Sequence, residues 1–457
     1  MIKKQNMENV LRQIKPLVKI KEYAKKANKK VYLVGGMLRD LLLGITINDI
    51  DIAISGNGKE FARALGKSFR LKEGLNEFRV VDDNMNIDIL GLGSTEILED
   101  LERRDFTINA MAYNLLDKRF IDPFNGVKDL EKGIIRAMGR KNIVEDSCRI
   151  LRGLRFRAIF GFKIEEKTAD LFVEYANKLS SIAPERIRLE LISIFEAANS
   201  HLAVIPEVFD VIFPGFLKMK EIKGGKITEN LMAHSILTLE KMDSLSRDLK
   251  VFGAHKKRVE AYYAENKAKL KLAALLHDIK KPETKEVTEN TVHFYGHDKM
   301  GSDWFGKIGK KLKFSSKERG YIVSIIKHHM RIHLLANQEE ITERAKRRLC
   351  FELGNDVMGL ALFSLADQIA TIGTEDSHLL EVCNQIISYY FSMKDEVEKP
   401  LLKGRDLIKH FNLAPGPIFG DILGKVQMAY EEGEITTKEE ALAFVKDNIR
   451  GLDITES

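Results

Sequence analysis

The rhythm of apolar and polar positions changes several times along the 457 residues. Residues 1–30 carry Val10, Leu11, Ile14, Leu17, Val18 and Ile20 among many lysines, which predicts an amphipathic packing helix. Val31-Tyr32-Leu33-Val34 is an apolar run of strand length, ended by Gly35-Gly36. An apolar helical segment with Arg39 and Asp40 follows and breaks at Gly44; the chain then re-enters a strand carrying Asp49 and Asp51. Gly56 and Gly58 mark a polar turn before a helix predicted over Lys59 to Phe69. Phe78–Val81 and Met85–Leu90 read as a strand pair around Asp82-Asp83-Asn84. Arg103-Arg104-Asp105 sit ahead of a predicted apolar helix, and Asp122-Pro123-Phe124-Asn125-Gly126 is a turn cluster. Helical patterns recur after that, through ILRGLRFRAIFGF, NLMAHSILTLEKM, LKLAALLHDIKK and a tail that turns at Pro415-Gly416-Pro417. No internal repeat or low-complexity segment interrupts them.

Composition narrows the class. The length suggests about three domains, and 44% hydrophobic with 31% charged residues fits a soluble globular protein. A net charge of +6 is compatible with a polyanionic partner. Cys148, Cys350 and Cys383 are scattered and odd in number, giving neither a zinc spacing nor a disulfide framework. With no signal peptide and no apolar run long enough to span a bilayer, the expectation is a cytoplasmic protein without a membrane partner.

Candidate chemistry begins at Asp49 and Asp51. Residues two apart on a strand share a face, so both carboxylates point the same way. Carboxylates held that close repel one another unless a cation sits between them. Hard oxygen donors suit Mg²⁺. The Gly35-Gly36 turn lets backbone N–H groups approach a phosphate. Phosphate cradle plus metal-binding carboxylates is equipment for phosphoryl or nucleotidyl transfer. A DxD alone is more often a strand end with solvated acids.

The whole arrangement, G-G-x-x-R-D-x-x-x-G followed by D-x-D on a β run, is more specific. It resembles the opening motif of the class II tRNA nucleotidyltransferase and bacterial poly(A) polymerase family. Further matches fall in the family's order. RRDFTINAMA resembles the ribose-recognition motif: its arginines suit triphosphate oxygens, and Asp105 and Asn109 would hold ribose hydroxyls. Arg149, Arg152 and Arg155 recur at three-residue steps on one side of a helix. They form either a solvated basic face or, with Asp146, a reader in which Asp146 and Arg149 meet a base edge while the other arginines meet phosphate. The EDxxR pattern resembles the family's protein template for nucleotide choice. Arg186, in PERIRLELISIF, reads as a structural brace, and Asp88 as a solvated strand carboxylate rather than a third acid near the metals.

A second constellation starts near Asn230. His234, the adjacent His277-Asp278 pair and Asp367 resemble the H…HD…D set of the HD phosphohydrolase superfamily. Mixed N and O donors suit Mn, Ni, Fe, Mg or Zn. A single histidine on an apolar helix is usually a satisfied core residue; the intact quartet favours metal. His297-Asp298, His328 and His329 lie in the same region.

The resemblance implies an α+β fold: a polymerase-β-like nucleotidyltransferase head, a small mixed sheet with helices, then a mostly α-helical neck, HD body and tail. The boundaries expected are 1–135 for the head, 136–225 for the neck, 226–395 for the HD domain and 396–457 for a tRNA-binding tail. It implies Asp49 and Asp51 as catalytic Mg²⁺ ligands, with Gly35, Gly36, Arg39, Asp40, Arg104, Asp105, Asn109, Asp146, Arg149, Arg152 and Arg155 around the nucleotide. It implies tRNA, CTP and ATP as partners and a divalent metal at His234, His277, Asp278 and Asp367. One departure matters. Only Ile89–Glu102 separates the Asp88 strand from RRDF, where members that complete CCA have a longer flexible segment. The resemblance leaves two products open, C followed by A or C alone; the short connection tilts the expectation toward an enzyme that stops after CC and leaves a separate partner to add A. The rival expectations are a poly(A) polymerase, an HD-type RNA phosphohydrolase with a non-catalytic head, and a non-catalytic RNA-binding protein.

Overall fold

The computed structural model describes residues 4–449 apart from interruptions at 72–73, 75, 83–84, 289–290, 398–400 and 432. The expected turn at Asp83-Asn84 thus lies outside the described residues. The chain divides into two compact units, Met1–Ile212 and Phe213–Ser457.

The first unit is built on a seven-stranded sheet. Its strands are β1 (Val31–Val34), β2 (Asp49–Ile54), β3 (Ser68–Arg70), β4 (Glu77–Asp82), β5 (Met85–Gly91), β6 (Ala112–Asn114) and β7 (Phe120–Ile121). Their order is β3-β4-β5-β2-β1-β6-β7. All pairs are antiparallel except β2 and β5, which run parallel with Asp51 opposite Asp88. The four residues of β1 are all buried, as a central strand covered on both faces requires. Tyr32, Val34, Ala53 and Ala112 share one apolar cluster with Leu92, Ile97 and Leu101.

Local chemistry explains where expectation and structure part. Residues 1–30 hold two helices, Lys4–Gln13 and Lys15–Lys26, because Ile14 is extended and Pro16 opens the second. Leu11, Leu17 and Ile20 are buried, but Val18 faces solvent. The helix expected to reach Phe69 stops at Leu65 before Gly66, and Ser68–Arg70 forms the edge strand β3. The apolar helix expected after Asp105 is instead a 3₁₀ turn, Thr107–Asn109, followed by β6. There, ladder bonds to β1 override the helix preference of Ala110, Met111 and Ala112. The arginine helix is Cys148–Phe160, and the PERIR segment opens the helix Pro184–Glu196. Gly153 lets the first pack tightly: a Cβ there would come within 2.5 Å of Phe172 and 2.8 Å of Phe106.

The second unit is helical apart from one two-stranded hairpin among the described residues. Its core helix, Lys256–Leu276, ends in a run buried from Leu270 to Leu276. That burial includes Lys271, tolerated because its ammonium pairs with the equally buried Asp243. Around it stand Leu231–Leu245, Ser316–His328 and Val357–Ile372. The helical run Glu343–Ile372 is long and apolar enough to cross a membrane, contrary to the expectation from sequence; 72% of its apolar window is buried inside the unit, as in a core helix. The tail helices Gly404–Phe411, Ile418–Glu431 and Lys438–Ile449 bury Leu407, Ile422, Val426 and Val445 together.

Candidate active site and metal cluster

In the first unit a cavity of about 590 Å³ opens where β1 gives way to the helix Gly35–Leu43. Gly35 sits at φ +64°, and a Cβ on it would lie 2.7 Å from Arg104 Nη1. Only glycine meets both conditions comfortably. The helix N-terminus that it opens presents amide hydrogens to the cavity, a setting that favours anions.

The expected residues gather around this cavity. Gly35, Gly36, Arg39, Asp51, Arg104, Asp105, Asn109, Asp146, Arg149, Arg152 and Arg155 line it. Many are bonded to one another. Arg39 donates from Nη1 to Asn109 Oδ1 at 2.8 Å, Asn109 donates to Asp105 Oδ1 at 2.9 Å, and Arg152 pairs with Asp105 at 2.9 Å. Arg39 also lies over the Phe156 ring, 4.8 Å from its centroid. Asp40 stands behind Arg39 and clamps it with bonds of 2.9 and 3.0 Å, so its link to the cavity runs through that guanidinium. Arg104 is held by Asp100 at 2.8 Å, and Arg155 by Glu190 at 2.9 Å.

Asp51 is the inner carboxylate of the strand pair. Burial and the neighbouring Asp88 raise its proton affinity above the ordinary carboxylate range, against the pull of Arg104. A buried acid pressed against a second acid fits a cation site. Asp49, at the exposed start of β2, accepts from Asn86 at 2.9 Å. Asp88 is not the solvated carboxylate that sequence favours: it lines the cavity and is pinned by Arg79 through bonds of 2.6 and 2.7 Å.

At the other wall Asp146 ends the helix Arg140–Glu145. Burial would raise its pKa, but the hydrogen bond and charge of Arg186 outweigh that and lower it. Arg149 donates to the carbonyls of Arg104 and Arg103 at 3.2 and 2.7 Å. The base-edge candidates are therefore tied to RRDF on one side and to the PERIR helix on the other.

In the second unit His234, His277, Asp278 and Asp367 meet. His234 Nε2 lies 2.9 Å from Asp367 Oδ1, and His277 Nε2 lies 3.5 Å from the same atom and 3.1 Å from Asp278 Oδ2. Burial opposes charge on Asp278 and Asp367, yet the surrounding imidazoles hold both well below the ordinary carboxylate range. Lys281 adds a bond of 2.7 Å to Asp278 Oδ2; Lys280 turns to Glu283. Sequence reasoning left three histidines of this cluster unassigned. His297 and His329 approach the other oxygen of Asp278, and His333 lies 3.3 Å from Asp367 Oδ2. The signal was present in part, as a second His-Asp pair at 297–298 and a His-His pair at 328–329. His328 instead leaves the cluster for Glu352, at 2.8 Å.

Residues 31–91 and 69–136 match the poly A polymerase head domain family. Residues 161–217 match the probable RNA and SrmB-binding site of polymerase A, 231–348 the HD domain, and 298–445 the putative domain 2 of tRNA nucleotidyltransferase. An A-adding tRNA nucleotidyltransferase of Deinococcus radiodurans is 27% identical over 91% of this chain and 94% of its own. A CC-adding tRNA nucleotidyltransferase of Synechocystis is 26% identical over 91% and 92%. The fold matches the Thermotoga maritima CCA-adding enzyme solved in complex with tRNA, with a TM-score of 0.61, 25% identity and coverage of 95% and 94%.

Proposed function

Since the chain belongs to the class II tRNA nucleotidyltransferase and poly(A) polymerase family and carries an HD domain, we propose that it extends the 3′ end of tRNA with nucleotides drawn from CTP, stopping after CC. The carrying observation is one cavity that holds Asp51 beside Asp88 together with Arg39, Arg104 and Arg152. Negative charge suited to Mg²⁺ thus shares the cavity with positive charge suited to a triphosphate.

Asp49 and Asp51 are the proposed Mg²⁺ ligands. Bound there, the ions would lower the pKa of the attacking hydroxyl and stabilise the departing pyrophosphate. The chain's own groups do the positioning. The amides at Gly35-Gly36, with Arg39 and Arg104, hold the triphosphate, and Asp40 keeps Arg39 aimed. Asp105 and Asn109 face the ribose, already oriented by Arg152 and Arg39. Asp146 and Arg149 read the base edge, and Arg152 and Arg155 add positive charge. The 3′ oxygen of the tRNA then bonds to the α-phosphorus as the bond to pyrophosphate breaks. Helical segments from 136 onward would grip tRNA by shape and phosphate, which makes affinity fall with salt. Such work belongs to the cytoplasm.

The connection between β5 and RRDF supports the CC limit. It is short and tied down: Leu92 and Gly93 donate backbone bonds to Ile54 and Gly56 at 2.8 and 3.0 Å. Relatives at nearly equal identity are named for A addition and for CC addition, so product length is the test. Purified protein with Mg²⁺ and tRNA ending before CCA is given CTP, ATP or both. Addition of two C and no A is expected; full CCA would overturn the limit, and a long A ladder on any RNA would make it a poly(A) polymerase.

The buried histidine and aspartate cluster favours a second reading alongside the first: a metal-dependent phosphohydrolase acting on RNA ends. The expected result is release of phosphate, or opening of a 2′,3′-cyclic phosphate, lost in Asp278→Ala and kept in Asp51→Asn. No transition metal in the purified protein would defeat it.

A further inference from the structure

We propose that Phe69 is a stacking platform for the acceptor strand of tRNA, set at the edge of the sheet in line with the catalytic acids. The inference rests on the nucleotidyl-transfer reading and adds to it the path of the attacking strand. A row of paired residues crosses four strands. Asp51 on β2 stands opposite Asp88 on β5, Asp88 opposite Arg79 on β4, and Arg79 opposite Phe69 on β3. Residues directly opposite one another share a sheet face, so Phe69 lies on the face that carries the acids. Three strand spacings put it about 14 Å from Asp51. The cavity reaches that way: Leu71, two residues on from Phe69 and on the same face, lines it together with Glu77.

The side of approach follows from the reaction. Gly35, Gly36 and Arg39, which hold the triphosphate, sit on the helix that continues β1, on one flank of β2. Displacement at the α-phosphorus is in line, so the attacking 3′ oxygen enters opposite the departing pyrophosphate. In a sheet ordered β3-β4-β5-β2-β1, the opposite flank is made by β5, β4 and β3. The strand that delivers the oxygen therefore passes over Asp88 and Arg79 toward Phe69.

What it meets there suits RNA. Phe69 is 51% exposed and Leu71 39%, large apolar side chains at an edge where charge is the usual choice. An exposed ring offers a face on which any base can stack. Glu77 can accept from a ribose hydroxyl. Beyond the edge, Phe69 borders a second cavity of about 350 Å³ with Lys59, Arg63 and Arg70. Lys59 and Arg63 stand one turn apart on the helix Gly58–Leu65, and Arg70 lies over the Phe78 ring, 5.5 Å from its centroid. Among the described residues none of these three cations pairs with a carboxylate, whereas Arg79 is held by Asp88. A stacking ring followed by unneutralised cations fits a single-stranded polyanion. Neither feature reads a base edge, so the grip tolerates any acceptor sequence.

The test measures initial rates of CTP addition by the full-length protein with Mg²⁺ and a tRNA ending before CCA. Phe69→Leu, which keeps apolar bulk and removes the ring, should raise KM for tRNA by about tenfold and leave KM for CTP in place. Phe69→Tyr should restore it. Arg63→Gln combined with Arg70→Gln should flatten the fall of tRNA affinity with salt. A leucine variant that handles tRNA as the parent does, or one that shifts both KM values together, overturns the platform and leaves nucleotidyl transfer standing. No CTP addition by the parent overturns both. Where a variant fails to fold, the unsubstituted protein decides. With 4-thiouridine in the last residues of the tRNA, ultraviolet light should cross-link it to residues 68–71, and cross-links wholly elsewhere overturn the path.

Discussion

Arg186 donates from Nη2 to Asp146 Oδ2 at 2.7 Å, across a sequence gap of 40 residues. The bond fixes an acid whose other oxygen accepts from the Cys148 amide. An aspartate anchored through both oxygens presents its remaining lone pairs in one direction. Under the proposed function, that rigidity would hold Asp146 in place to read a base edge. Arg186→Leu should therefore lower kcat/KM for CTP by about 10- to 100-fold, the scale of a misplaced catalytic contact, and narrow the margin over UTP. Single-turnover assays with each triphosphate measure both effects. Unchanged discrimination would reduce Arg186 to a packing residue.

Asp51 links activity to pH. Burial and Asp88 raise its folded-state pKa above the unfolded value. A raised acid favours the folded protein while it is protonated, and that contribution is lost as pH climbs through the raised range. Metal-free Asp51→Asn should then melt above the parent protein at pH 7, with the gap closing below the ordinary carboxylate range. Calorimetry in chelator across pH 3–8 reads this directly. The same variant should lose nucleotide addition by on the order of 10³-fold. Mg²⁺ protection of the parent should strengthen with rising pH as the proton leaves.

Gly35→Ala tests the phosphate cradle. The substitution forces a Cβ into a positive-φ position, at roughly 1–2 kcal/mol, and against Arg104 Nη1. Thermal melts should show the stability loss. Equilibrium binding of CTP should weaken far more than stability does, because Arg104 must move. A variant that melts low yet binds CTP normally would mean the junction serves folding alone.

Asp40→Ala separates aim from contact. Asp40 holds Arg39 by two bonds, while Phe156 and Asn109 also restrain that guanidinium. We expect KM for CTP to rise about tenfold with kcat nearly kept. Asp40→Glu should restore part of the loss, and a collapse of kcat would instead place Asp40 among the groups that touch substrate.

How much of this was legible depended on the range of the interaction. Asp49 and Asp51 share a face by strand alternation, which sequence alone supplies. Asp88 needed the parallel register of β2 and β5, a fact about two segments that sequence order does not state. The stretch FTINAMA reads as an apolar helix only through its Ala-Met-Ala end, while the ladder to β1 draws Ala112 into a strand. Phe156 carries no signal in the sequence, because only the tertiary fold brings Arg39 over its ring. His297 and His329 were visible as residues but not as partners, since their meeting point is set by how the helix His297–Lys311 packs on Ser316–His328.

The parallel pairing that seats Asp51 beside Asp88 has a consequence for the growing chain. A parallel neighbour cannot arrive by a tight hairpin; β3 and β4 are synthesised in between, and the crossover must close before β5 docks. Until β5 docks, Asp51 lacks both the Asp88 carboxylate and part of the burial that raise its proton affinity, so the electrostatic setting of this corner of the head is completed only with the sheet.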